Sequence, residues 1–324
     1  MKKNPITYLS LGLTAGALFL TACSKPAEDS EASSAAAEVT IPDAPDEAMK
    51  AIFAELSNGN GGILWKAMPA SYQGDVNKVV QLAGSKVDAE LYDQAMGLVG
   101  RIGQVAGKQQ DYILNSTLLP EADPEEQESM SQLIPVIVEL LDVITTSEIG
   151  TSAELQSFEG QKFFDTTVSK IMKLGFKLSA IDDSSQPTLE DLGKSEFTVV
   201  EQSETAATVK MVAADEEEMV ELVKVENRWV PEEMADEWAT NMSEAVAQLE
   251  AITPEEINEQ KPQIMSVLAM LDGVLTQIEA AESQQQFDQA IQGATMPIMG
   301  LMMMGQGMGG SGPAMPMPQM PTAP

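Results

Sequence analysis

Nine of the chain's 21 methionines fall between Met296 and Pro324, in the stretch MPIMGLMMMGQGMGGSGPAMPMPQMPTAP. Six of them, Met296, Met299, Met302, Met303, Met304 and Met308, are close enough in sequence for three or four thioethers to close on one ion. Soft sulfur ligands on a Gly-rich segment suit Cu(I), which needs neither thiolate nor imidazole. The competing reading is a Met/Pro/Gly low-complexity tail that packs adaptably on a partner, since thioethers are flexible and polarizable. A second group is Lys162, Lys170, Lys173 and Lys177. On one helix these lysines fall within roughly 80° of each other. Such a stripe could dock an anionic partner, either lipid phosphates or an acidic protein face. The favoured reading is plainer: the lysines neutralise the chain's own carboxylates, Glu159 among them.

Composition removes most other chemistries. There are 18 Lys and Arg against 50 Asp and Glu, a net charge of −32, no histidine and one cysteine. Phosphate backbones are bound by clustered cations, so a nucleic-acid role is excluded. Without histidine there is no Ser-His-Asp triad, no Cys-His dyad and no His-bearing zinc site. Carboxylates remain as acid–base groups. A carboxylate-dependent hydrolase, for instance a glycosidase, needs two carboxyls about 5 to 9.5 Å apart across a cleft, which a sequence does not reveal. The legible carboxylate pairs have another explanation. Asp123-Pro124-Glu125-Glu126 and Thr253-Pro254-Glu255-Glu256 each give a capping side chain, Pro at the first helical position and Glu at the third. Such residues answer the free N–H groups and positive end of a helix. Val230-Pro231-Glu232-Glu233 lacks only the capping side chain. Asn58-Gly59-Asn60-Gly61-Gly62 reads as a turn, because no Gly-Lys-Ser/Thr follows to cradle phosphate. Asp215 to Glu218 are consecutive acids without the spacing of a calcium loop, and read as a solvated hairpin turn.

The sole cysteine has a marked position. Met1-Lys2-Lys3 is a basic start, Ile6 to Leu20 is apolar, and Leu20-Thr21-Ala22-Cys23 follows. This is the pattern of a secretory signal, too short for a comfortable membrane span. Its junction resembles the lipobox of bacterial lipoproteins. That resemblance implies that residues 1–22 are removed and that Cys23 becomes the acylated terminus. With Ser24 rather than Asp in second place, it also implies an outer-membrane destination facing the periplasm. Acyl chains contribute about 0.8 kcal/mol per buried CH₂, so two or three of them anchor a protein without a spanning helix. Met299-x-x-Met302 and Met304-x-x-x-Met308 are similar to the methionine motifs of periplasmic copper-handling proteins, but lack their neighbouring His or Trp.

The remaining sequence supplies the frame. Residues 23–45 are the acylated cysteine and a tether of Ala, Ser, Glu and Pro with little to bury. A helical region is predicted over 46–183. Asp88 should cap a helix whose inner face is Leu91, Ala95, Leu98, Val99, Ile102 and Val105. Gly97, Gly100, Gly103 and Gly107 on that helix point to close backbone packing. Another helix, from about 155 to 180, should turn Phe164, Thr167, Ile171, Leu174 and Leu178 inward. Within 184–304, a three-stranded antiparallel meander at about 194–230 precedes further helices, and 305–324 is a loose tail. The meander's close, Glu226-Asn227-Arg228-Trp229-Val230-Pro231, resembles the terminal strands of small nuclear-transport-factor-2-like envelope domains, although helices follow the sheet here.

The sequence thus predicts a mostly helical α+β protein, anchored to the membrane by lipid. Its expected role is non-catalytic, binding or scaffolding an envelope partner, with Cu(I) binding and carboxylate-dependent hydrolysis as the alternatives. Anaerobic Cu(I) titration against a competing chelator separates the readings of the tail. The full mature chain with Cys23→Ser and the same chain truncated after Ala294 should bind Cu(I) equally weakly. Tight binding that disappears on truncation would make the methionines a copper site.

Overall fold

The computed structural model describes residues 40–118, 123–181, 193–213 and 216–294. Cys23 and the six candidate methionine ligands lie outside these residues. Helices α1 (Pro45–Ser57), α2 (Gly62–Ala67) and α3 (Ala70–Lys86) lead into a long α4 (Ala89–Lys108) and a short α5 (Gln110–Leu114). Then come α6 (Pro124–Thr145), α7 (Ser152–Gln156), α8 (Gly160–Phe163), a π-helical turn (Phe164–Val168) and α9 (Ser169–Ile181). Strands β1 (Glu196–Gln202), β2 (Ala206–Ala213), β3 (Glu216–Val225) and β4 (Arg228–Pro231) precede α10 (Glu232–Ala251), α11 (Pro254–Glu279) and α12 (284–294). The fold is α+β and mostly helical. No helix among the described residues is long and apolar enough to cross a membrane.

The sheet has four antiparallel strands in the order β1-β2-β3-β4, one more than the meander expected. The additional strand follows a two-residue turn in which Glu226 and Asn227 both have positive φ, 49° and 63°. That geometry matches the right-handed strand twist and is ordinarily written Asn-Gly, so a Glu-Asn turn hides the hairpin. The Glu226 carboxylate accepts the Ser71 N–H at 3.1 Å, tying the turn to the start of α3. Alternation sends side chains to two cores. On one face Phe197, Val199, Val209, Met211, Val220, Leu222 and Trp229 pack against Ala48, Met49 and Phe53 of α1. On the other, Val223, Val225 and Val230 meet Trp65, Met68, Tyr72 and Trp238. There Tyr72 and Trp238 stack at 4.0 Å, bringing α10 onto α3.

The helices beyond the sheet form a row, α11 beside α4, α4 beside α6 and α6 beside α9. Its starts are those the sequence shows: Asp123 and Thr253 complete capping boxes with Glu126 and Glu256, and Asp88 accepts from Leu91 N. Pro231 instead ends β4 and stands at the N-cap position, so α10 begins at Glu232, one residue later than expected. Gly103 of α4 is buried, but Gly97, Gly100 and Gly107 depart from the close packing expected of them. A Cβ at Gly100 or Gly107 would sit 3.5 Å from side chains of α6, an ordinary contact, and at Gly97 it would meet open space. A tighter approach between helices is at Gly84 of α3, where a Cβ would lie 2.7 Å from the Leu155 backbone. On α4, Leu98 and Val105 are buried as expected, whereas Ile102 is 40% exposed.

Contacts made by scarce cations and an amide lock α11 to α4 along its polar rim. Arg101 reaches Asp272, Thr276 and Glu279, and Lys261 bridges Asp88 and Glu90 at 2.9 and 2.8 Å. The buried Gln109 amide donates to the carbonyls of Ile278 and Glu279, satisfying the end of α11. The sheet's apolar core should dominate stability. Leu222→Ala, at a side chain 1% exposed, should cost about 2–5 kcal/mol. Val200→Ala, at 52% exposure, should stay within about 0.5 kcal/mol. Urea unfolding followed by circular dichroism measures both.

Candidate functional site

An open surface groove lies where the chain enters α1. It measures about 620 Å³ and is lined by Asp43, Ala44, Gln202, Ser203, Glu204, Lys224 and Trp229. Three elements bring these residues together. The loop between β1 and β2 supplies Ser203, whose Oγ accepts the Ala206 N–H at 2.9 Å and so fixes the turn. Register places Lys224 opposite Trp229 on adjacent strands, with the Lys224 Nζ 5.3 Å from the indole centroid. The chain entering α1 supplies Asp43, whose backbone carbonyl accepts the Trp229 Nε1–H at 2.7 Å while its carboxylate pairs with Lys224 at 3.3 Å. Trp229 is therefore an interior strut, 8% exposed, rather than a stacking platform. The groove presents the Glu204 carboxylate, the Gln202 amide and the Asp43–Lys224 pair, which suit a polar ligand rich in hydrogen-bond donors.

The four candidate lysines all lie on one continuous helical run, from α8 through the π turn into α9. The helix expected from about 155 is interrupted at Ser157–Glu159, because Phe158 turns inward to 3% exposure and Gly160 sits against Trp65. The π turn adds a residue to the helical repeat between Lys162 and the other three, so Lys162 moves by roughly 100° around the axis, from one flank of Lys170, Lys173 and Lys177 to the other. Lys162 pairs with Glu148 at 3.2 Å and Lys177 with Glu139 at 2.6 Å. Both thus serve the chain's own carboxylates, although the partner of Lys162 is Glu148 rather than Glu159. Lys170 and Lys173 are exposed, and the Lys173 chain runs over Gly59, whose φ of 73° makes the turn after α1. Thr167 and Leu174 of the expected inner face are buried.

Glu148 lies at the centre of a small polar cluster. Its carboxylate accepts from Thr167 Oγ1 at 2.7 Å, from Thr166 Oγ1 at 3.2 Å and from Lys162. Burial pushes this carboxyl up, but the hydrogen bonds from Thr167 and Lys162 outweigh it and hold the group below the usual range. The adjoining space, about 70 Å³ between Glu148, Glu154, Ser157, Glu159 and Lys162, is too small for a substrate. Elsewhere Glu221 of β3 and Glu232 of α10 share a hydrogen bond, which with the Glu221 charge raises Glu232. Among the described residues no group of three or more Asp, Glu, His or Cys side chains is arranged to hold a metal ion.

One group escaped the sequence. Glu216 to Glu218 begin β3 rather than forming a solvated turn, and pairing puts Glu218 opposite Met211 on the face that α1 covers. Its Oε2 is buried without a hydrogen-bond partner, and burial, with Glu216 nearby, pushes its carboxyl up. Continuing the period-two pattern of β3 through its acids would have found it, since Val220 and Leu222 share its parity. A raised folded pKa means that this group's contribution to stability falls as pH rises through that value. Glu218→Gln should therefore raise the unfolding midpoint at pH 8. The gain should vanish below the unfolded carboxyl value of about 4.3. Thermal melts across that range check the sign. No family model matches the chain, and no curated protein or solved structure shows significant similarity to it.

Proposed function

We propose that this chain is a lipid-anchored protein of the bacterial cell envelope that binds a polar ligand or partner without transforming it. The observation that supports this most is the groove at the tether junction, whose lining begins with Asp43 and Ala44, four residues after the last residue of the undescribed segment. The leader and Cys23 supply the anchor in this reading, and acyl chains fix it in the leaflet. A tether of some twenty residues has a root-mean-square reach of roughly 25 Å, enough to lift the groove clear of lipid headgroups. The net charge of −32 favours a neutral or cationic ligand, because an anion meets repulsion from the whole surface. Within the groove, Asp43 and Glu204 outnumber Lys224, so the ligand's donors and ammonium groups do most of the binding. Cell-wall fragments, which combine hydroxyls, amides and free amines, have this chemistry.

The full mature chain with Cys23→Ser should show a saturable change in tryptophan fluorescence when titrated with soluble cell-wall fragments. A charge-assisted hydrogen bond is worth about 1.5–3 kcal/mol. Loss of Glu204 as Glu204→Gln should therefore weaken that binding about tenfold or more. Binding that is absent, or that is indifferent to Glu204→Gln and Lys224→Gln, would remove the groove from the account.

A further inference from the structure

The polar rim between α4 and α11 has an apolar counterpart on one side of the same helix pair. The two helices run parallel: Lys261 meets Asp88 near both starts, Arg101 meets Thr276, and Gln109 meets the carbonyls of Ile278 and Glu279 near both ends. These contacts fix the rotation of each helix. At roughly 100° per residue, Val99, Ile102 and Ala106 of α4 then share one side with Ile264, Leu271 and Leu275 of α11. All six are exposed or half-buried, Ile102 and Ile264 at 40% each. They are two of only six large apolar side chains that exposed among the described residues. The result is an apolar furrow that rises over about 21 Å from Ile264 to Ile278.

Its upper end is already covered. Phe287 of α12 is 3% exposed and packs with Val105 and Ile278, while Leu275 and Ile291 join the same cluster. The described chain stops at Ala294, itself 4% exposed, and the residues that come next are Thr295-Met296-Pro297-Ile298-Met299-Gly300-Leu301-Met302-Met303-Met304. From Thr295 to Pro324 there is no Asp, Glu, Lys or Arg, although more than a fifth of the chain is charged, 21%. An uncharged, methionine-rich segment meets no repulsion from the acidic surface around the furrow, whose net charge follows that of the chain, −32. Its thioethers fill irregular apolar surfaces well. Ten residues extend to about 33–36 Å, longer than the furrow. A second copy of the chain is disfavoured as occupant by its own net charge of −32.

We propose that residues 296–304 dock in the furrow between α4 and α11, so that the methionine cluster is an intramolecular cover for this apolar face. The Cys23→Ser chain provides a cysteine-free background for the test. Ile102→Cys with Met302→Cys is compared with Gly97→Cys and Met302→Cys, since Gly97 lies on the opposite, open side of α4. Under diamide the Ile102 pair should form an intramolecular disulfide at least about tenfold faster than the Gly97 pair, both tails being tethered at similar effective concentration. Equal rates overturn the proposal. Disulfides formed mainly between chains overturn it in favour of a second copy. Truncation after Ala294 gives an independent readout: binding of a hydrophobic dye should rise several-fold, and unchanged dye binding contradicts the docking.

Discussion

Positive charge is the scarce component of this molecule, and where it sits decides which elements stay together. With 18 cations for 50 carboxylates, most acidic side chains cannot be paired at all. The cations that are placed do structural work between segments distant in sequence. Arg101 and Lys261 hold α11 to α4, Lys86 donates to the carbonyls of Glu250 and Ile252 at the end of α10, and Lys224 joins β3 to the chain entering α1. Exposed pairs of this kind contribute little each, about 0–1 kcal/mol. Their value is in orientation: they set how helices are rotated on cores that burial alone would leave free to slide. The same scarcity argues against reading the lysines of α9 as a reserve for a partner.

Around those pins the fold places an apolar core on each face of the sheet. The face under α1 takes the alternate residues of β1 to β3, and the face toward α10 takes the end of β3, β4 and three aromatic side chains. The groove follows from this division. Trp229 belongs to the α1 core, so its indole must find an acceptor at the edge, and the Asp43 carbonyl supplies it. That hydrogen bond holds the last part of the tether against the β1–β2 turn. The groove and the entry of the chain into α1 are in this way parts of one local arrangement.

Much of this was written in local sequence. The capping boxes at Asp123 and Thr253 depend on residues three apart, and the first three strands on a two-residue period, so both were legible. What was not legible depends on tertiary context. β4 is announced by Glu226-Asn227, whose positive φ values are sustained by a hydrogen bond from Ser71, about 150 residues away. The break at Phe158 and the π turn after it answer to Trp65, Asn77 and Glu148, none of them local. The uniform 100° repeat used to align four lysines fails across that turn. Glu218 was read by its charge rather than by its parity in the strand. The groove was invisible in the same sense, since Asp43, Glu204 and Trp229 meet only through the sheet's register.

The anchor at Cys23 is the premise on which the tether, the groove's placement and the envelope role all rest. Mass spectrometry of the amino-terminal peptide of the mature chain, purified in detergent from its native membrane, tests it most directly. The account predicts a peptide that begins at Cys23 and carries a diacylglyceryl group on the thiol. An unmodified Cys23 thiol, or a mature terminus at any other residue, would contradict it.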